Sequence, residues 1–173
     1  FVPETNAAAS RVFERAIYWK KWGVKCQIIT SFPNRYKGKK HPGFSKSLYK
    51  KETIEGLSVT RVKTFVSASP SIILRSFHQL SFMISAAIAG LFQKNISIVI
   101  VTTPQFFCSL SGLFLSRIKK VPFILEIADI WSDSLKGTVL SQGFFFRIIE
   151  SFEAFIFKKS DALVVLTKGF KKE

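Results

Sequence analysis

Acidic side chains are scarce in this sequence, which has 11 Asp and Glu against 26 Lys and Arg and a formal net charge of +15. A domain with so few acids attracts polyanions from solution, which implies an anionic partner. Nucleic acid, anionic lipid and phosphorylated substrates all meet that requirement.

Cysteine and histidine are also rare. Cys26 and Cys108 lie far apart, without the spacing of a CxxC motif or a metal site, so we expect reduced, buried thiols. His41 and His78 have no partner at a spacing typical of catalysis. We expect His41 to be solvated and His78 to be packed.

Long apolar runs are missing. The longest, residues 82–92, contains Ser85 and stops at Gln93, well short of the roughly 20 residues that span a bilayer. A helix-turn-helix pattern, zinc spacing, RNP motif and Walker loop are absent too, which weakens the case for nucleic acid. The 19 Phe residues favour a membrane or lipid partner. A peripheral membrane protein fits these observations best.

The chain is long enough for one domain, and we treat residues 1–173 as a single domain truncated at both ends. Its periodicity predicts helices alternating with strands, which favours an α/β fold with a doubly wound parallel sheet. Residues 35–51 are predicted to form a basic loop, and residues 57–63 a half-buried strand near a sheet edge. The predicted helices cover 7–22, 72–94, 106–119 and 143–159, and the other predicted strands cover 24–30, 96–101, 122–127 and 162–166.

In such sheets, ligands bind beyond the carboxyl ends of the strands. The predicted strand 122–127 delivers three carboxylates, Glu126, Asp129 and Asp133, together with Trp131 at its end, a poor composition for a core. A carboxylate here can accept a proton from an acceptor hydroxyl, and Trp131 offers a face to a sugar ring or lipid. The alternative is that Asp129 or Asp133 only caps the following turn or helix.

Two further strand ends and helix starts carry polar groups. Thr102 and Thr103 follow a predicted buried strand and precede Pro104 and a helix, so their hydroxyls and the free amides of the helix start can bind an anion, or the turn is an ordinary N-cap. Before the first helix, Asn6 is a candidate cap and Arg11 a candidate phosphate contact, unless this is simply a capped surface helix.

The predicted basic loop holds seven cations and no acid. Interleaved aromatic residues are typical of segments at a membrane interface, but also of single-strand nucleic-acid binders. A solvated surface is the remaining alternative. The candidate membrane and anion contacts in the loop are Arg35, Lys37, Lys39, Lys40, Lys46, Lys50 and Lys51.

Seven short stretches, in this order, resemble the N-terminal domain of bacterial family 4 glycosyltransferases that build O-antigen, capsule and exopolysaccharide. The resemblance covers nearly the whole chain. It implies a Rossmann-like half-domain of the GT-B fold that lacks its first strand and the whole second domain. The stretches are residues 1–4 (FVPE), 23–30 (GVKCQIIT), 32–36 (FPNRY), 55–62 (EGLSVTRV), 103–104 (TP), 122–131 (PFILEIADIW) and 160–167 (SDALVVLT).

The resemblance implies a retaining, metal-independent hexosyltransferase without a cofactor. The donor, a nucleotide sugar, is a co-substrate that the missing domain binds, so we expect this chain to be inactive alone. The acceptor is a lipid-linked glycan, which places the protein in the cytoplasm at the inner face of the cytoplasmic membrane, without a nucleic-acid partner. Asp129 matches the family's acidic position after the strand, Trp131 its following Trp, and Glu126 the earlier acid.

Three places depart from the family pattern: Ala128 replaces a basic residue, Ser132 a proline, and residues 6–9 a glycine-rich turn. Loss of those glycines weakens the case for close phosphate contact there. A non-catalytic basic module that binds membranes or polyanions therefore remains an alternative. A nucleic-acid-binding α/β domain is the other alternative, and it predicts binding that weakens steeply with salt.

Overall fold

In a computed structural model, helices and strands alternate from residue 72 onward, as the sequence predicts, whereas five strands follow one another between residues 27 and 62. The structure describes residues 1–4, 7–35, 39–40, 47–66, 71–103, 107–128 and 143–165. The chain divides into two compact units, Phe1–Gln93 and Lys94–Glu173. One unit contains a mixed sheet and the other a parallel sheet, which confirms the α/β class.

The first unit is built around a three-stranded sheet. Its elements are α1 (Ala7–Lys21), β1 (Gln27–Ser31), β2 (Asn34–Arg35), β3 (Lys39–Lys40), β4 (Tyr49–Ile54), β5 (Leu57–Val62) and α2 (Ile72–Leu91). The strand order is β1-β5-β4, with β1 parallel to β5 and β4 antiparallel to it. A separate two-residue antiparallel ladder joins β2 to β3.

The prediction of a continuous basic loop over residues 35–51 is wrong at both ends, because β2 and β3 pair there and β4 begins at Tyr49. The strand predicted near a sheet edge is also misplaced, since β5 lies between β1 and β4. The lysines of β4 give this strand the composition of a loop, so the sequence does not show that it pairs with β5. An edge strand has one side open to solvent, so it accepts Lys50 and Lys51 without burying charge.

A two-residue turn, Glu55 and Gly56, connects β4 to β5. Both residues have positive φ, 50° and 75°, as a type I′ hairpin turn requires. Lys20 of α1 donates from Nζ to the carbonyl oxygen of Glu55 at 2.7 Å. The end of α1 is therefore joined to the hairpin turn.

Leu57 and Val59 form the centre of the first unit's core, where they pack with Ala16 of α1 and with Phe1. The alternation of β5 places these two apolar residues on one face of the strand. Arg61 lies on the same strand and is only 1% exposed. It donates to a Glu52 carboxylate oxygen and to the Val2 carbonyl, and to the Ser31 carbonyl at 3.4 Å.

Glu52 and Arg61 form a charge pair across the β4–β5 ladder. Burial raises the pKa of Glu52, but hydrogen bonds from Arg61 and Lys50 outweigh that effect and the pKa is lowered overall. The guanidinium is thereby matched by a carboxylate and by carbonyl oxygens, as a buried charge requires.

The second unit contains β6 (Val99–Thr102), α3 (Cys108–Lys119), β7 (Phe123–Ile127), α4 (Phe144–Lys159) and β8 (Ala162–Val165). All three strands are parallel and their order is β6-β7-β8. The elements lie within a few residues of their predicted positions. Continuous apolar runs predict a sheet covered on both faces, but β8 is largely exposed within the described part of the chain. The core consists of Val101, Phe123, Leu125, Ile127 and Ile156.

Asp161 joins the start of β8 to β7 through two hydrogen bonds with Phe123. Its backbone N–H donates to the Phe123 carbonyl at 2.8 Å, and its carboxylate accepts the Phe123 N–H at 2.7 Å. One acidic residue thus completes the hydrogen bonds of Phe123 where the ladder begins.

Cys26 and Cys108 are half-buried free thiols, which agrees with the prediction of reduced cysteines. Burial raises the pKa of both and takes that of Cys108 to about 11. His78 is also half-buried. Burial lowers its pKa, opposed by the nearby charge of Glu4, whereas His41 lies outside the described residues.

The described ranges include no helix that combines the length and hydropathy needed to cross a bilayer. Even α2, at 20 residues, does not meet that requirement.

Gly112 lets α3 approach the parallel sheet closely. A Cβ at this position would lie 2.2 Å from Val101 Cγ2 and 2.9 Å from Phe123 Cε2. Both neighbours are buried core residues with little room to move.

We predict that Gly112→Ala lowers the free energy of unfolding by about 1–3 kcal/mol, because the added methyl overpacks the core. Urea denaturation followed by circular dichroism measures the change. Ser151→Ala, at an exposed position of α4, is the control and should gain a few tenths of a kcal/mol from helix propensity. Stabilisation by Gly112→Ala would show that propensity outweighs packing at this site.

Candidate functional site

The carboxyl ends of β6 and β7 lie side by side, where a parallel sheet presents its ligand-binding edge. The register pairs Val101 with Leu125 and Thr102 with Glu126. Polar side chains therefore begin on both strands at the same level, directly beyond a pair of apolar core residues.

Glu126 is buried, with 3% of its surface exposed. Thr102 donates from Oγ1 to Glu126 Oε2 at 2.6 Å, a short hydrogen bond of the kind a carboxylate forms with a hydroxyl. Glu126 is predicted as an acceptor contact, but one of its oxygens is held within the sheet. Its contribution to a site is therefore to fix the end of β7.

Thr103 links the ends of the two strands. Its N–H donates to the Glu126 carbonyl at 2.9 Å, and its hydroxyl donates to the same carbonyl at 3.3 Å. The hydroxyl oxygen also accepts the Ala128 N–H at 3.0 Å. We call Thr102, Thr103, Glu126 and Ala128 the strand-end clasp.

The structure brings together two of the predicted site residues, Thr103 and Glu126. The predicted catalytic residue Asp129 and its neighbour Trp131 lie outside the described residues, as do Asn6, Lys37 and Lys46. Ala128 is the last described residue before Asp129, so the clasp fixes the backbone from which that segment departs. Residues 104–106, where the predicted helix-start amides lie, are outside the described ranges as well.

Arg11 belongs to α1 in the first unit and is half-buried. Its Nη1 is buried, and no hydrogen-bond acceptor contacts this nitrogen within the described part of the chain. A buried guanidinium nitrogen is a hydrogen-bond donor that is not open to an anion from solution. The role of Arg11 as an anion contact stays a prediction.

The predicted basic contacts differ from one another. Arg35, Lys39 and Lys40 form the β2–β3 ladder through their backbones. Lys50 is exposed and lies 3.2 Å from a Glu52 carboxylate oxygen, so its charge is partly neutralised. Lys51 Nζ lies 5.9 Å from the centre of the Tyr49 ring, a cation–π contact at the edge of the sheet.

Sequence reasoning identifies Thr102, together with Thr103, by its place after an apolar strand. It misses the hydrogen bond from Thr102 to Glu126 and the Arg61–Glu52 pair. The sequence offers no such signal for Arg61, because its partner Glu52 lies on β4, whose lysines give that strand the composition of a loop. The residues that the structure describes contain no group of three side chains able to hold a metal ion.

Neither the scan against family models nor the searches of curated proteins and solved structures found a match to this chain.

We predict that Thr103→Val lowers the free energy of unfolding by about 1–2 kcal/mol, because the half-buried Ala128 N–H loses its acceptor. Thr103→Ser keeps the hydroxyl and is the matched control. Hydrogen exchange at the Ala128 amide, measured in both variants, gives the local readout. Unchanged protection in the valine variant would contradict the role given to this hydroxyl.

Proposed function

We propose that this chain is the acceptor-side, N-terminal half of a GT-B glycosyltransferase of the family 4 type. The reaction transfers a sugar from a nucleotide-diphosphate donor to a polyprenyl-linked glycan, with retention of configuration and without a metal ion. A second Rossmann-like domain would bind the donor. The α/β alternation and the parallel β6-β7-β8 sheet support this assignment, because such sheets form the halves of that fold.

The observation that carries the proposal is the strand-end clasp. Hydrogen bonds from Thr103 to Glu126 and from Ala128 to Thr103 fix the end of β7. Asp129 follows Ala128 directly in the sequence, so a fixed strand end would limit the positions open to its carboxylate. Orientation of a catalytic group by a rigid element is a requirement for efficient transfer.

In this proposal Asp129 orients or activates the acceptor hydroxyl by accepting its hydrogen bond and proton. Trp131 offers an aromatic face to the sugar ring. Glu126 acts as a positioning residue, because its side chain is buried and bonded to Thr102. The diphosphate of the acceptor would bind cationic side chains.

A non-catalytic module that binds membranes or polyanions is the second candidate. The net charge of +15 favours it, since this charge needs no catalytic site to attract an anionic surface. A nucleic-acid-binding domain is the third, and steep weakening of binding with salt is its expected signature.

The test is sugar transfer by the full-length protein, given a panel of nucleotide sugars and a membrane lipid extract. We expect Asp129→Ala to lower the rate by about 10²–10⁴, the range for loss of a general base. Asp133→Ala, four residues further along the same segment, is the matched control and should retain most of the activity.

Each outcome decides between the candidates. Transfer that survives Asp129→Ala would keep the family assignment and remove Asp129 as the catalytic residue. Equal losses in the Asp129 and Asp133 variants would point to disruption of the segment, which a thermal unfolding measurement on both variants identifies. Absence of transfer with every donor would favour the non-catalytic module.

A further inference from the structure

The end of α1 exposes aromatic and basic side chains side by side. Trp22 is 74% exposed and Tyr18 is 58% exposed, and Lys21, Val24 and Lys25 are exposed beside them. We call these five residues the aromatic turn. An exposed Trp with an exposed Tyr one helical turn earlier is unusual for a surface that meets only water.

The aromatic turn is held rigidly by the way α1 ends. Gly23, with φ of 81°, donates to the Lys20 carbonyl at 3.0 Å, and Val24 donates to the Trp19 carbonyl at 3.0 Å. This pair of hydrogen bonds is the Schellman motif, in which a left-handed glycine closes a helix. Lys21 Nζ lies 5.2 Å from the centre of the Tyr18 ring. The exposed side chains therefore project from a fixed backbone.

Cations outnumber acids around the turn. In the sequence no Asp or Glu lies between Glu14 and Glu52, and Lys and Arg recur throughout that interval. The neighbouring acids in the described part of the chain are Glu14, one helical turn before Tyr18, and Glu55, whose carbonyl accepts from Lys20. Lys21 and Lys25 thus accompany the aromatic side chains as cations.

We propose that the aromatic turn binds an anionic lipid bilayer, with Trp22 and Tyr18 at the level of the headgroups. This proposal rests on the proposed function, because a lipid-linked acceptor requires contact with the membrane. It adds the end of α1 to the predicted basic loop as a membrane contact. Trp and Tyr favour the membrane interface because each ring combines an apolar body with a polar group. Lys21 and Lys25 complement the charge of the lipid.

A bilayer suits this surface better than a nucleic acid. Proteins that bind single-stranded nucleic acid place aromatic rings along a groove lined by cations and often use Arg. The aromatic turn instead has an aliphatic Val24, and its cations are lysines. Val24 gains from contact with acyl chains and gains little from a nucleobase or phosphate.

The experiment is sedimentation of the full-length protein with vesicles of phosphatidylcholine alone or mixed equally with phosphatidylglycerol. We expect binding to the anionic vesicles, and we expect Trp22→Ala to weaken it about tenfold, as loss of one buried aromatic ring would. Phe144→Ala is the matched control, because Phe144 is an aromatic residue 81% exposed at the start of α4 in the other unit. This control should bind as wild type does.

A second readout separates direct contact from altered folding. The chain has three Trp residues, and a variant with Trp19→Phe and Trp131→Phe, compared with the same variant carrying Trp22→Phe as well, gives the emission of Trp22 by difference. On anionic vesicles its emission should shift to the blue and be quenched by brominated acyl chains. Emission that stays unshifted and unquenched while the protein sediments would overturn the proposal.

The remaining outcomes distinguish this proposal from the proposed function. Binding that is unaffected by Trp22→Ala but lost when Lys37, Lys39 and Lys40 are replaced by Gln would overturn the proposal that the aromatic turn binds lipid. The proposed glycosyltransferase function would still stand. Binding of a single-stranded oligonucleotide that depends on Trp22, without vesicle binding, would overturn the lipid assignment. Vesicle binding needs no donor sugar, so absence of transfer with every donor would leave a Trp22-dependent result standing.

Discussion

Burial of a carboxylate at the end of a parallel strand is the constraint around which the second unit is organised. A buried polar group is tolerated only where hydrogen bonds replace water, and Thr102 supplies such a bond to Glu126. The backbone of Glu126 also binds Thr103, so the same residue sets where β6 and β7 end. In both strands the residues before Thr102 and Glu126 are apolar, and the polar residues of the candidate site begin with this pair.

The sequence predicts the second unit well because each of its strands is an apolar run closed by a change of composition. Val99, Phe123 and Ala162 open strands that lie within a few residues of their predicted positions. The first unit is harder to predict from the sequence, because the edge strand β4 is rich in lysine and has the composition of a loop. Only the pairing of Glu52 with Arg61, which depends on tertiary contact, distinguishes it.

The candidate site shows the same division. Glu126 and Thr103 are identified in the sequence because polar residues follow an apolar strand, and the structure joins them. Their hydrogen-bond partners are not predictable, because strand register decides that Thr102 opposes Glu126. A shift of one residue would place a different side chain beside the carboxylate.

The type I′ turn at Glu55 and Gly56 has a consequence for the order in which the first unit forms. β4 and β5 are adjacent in the sequence, so their hairpin closes the shortest loop in the sheet and can form in about 1–10 μs. Pairing β1 with β5 joins Gln27 to Ser58 and must close a much longer loop. We expect the hairpin to template the parallel strand during folding, and pulse-labelled hydrogen exchange that protects β1 before β4 would contradict this order.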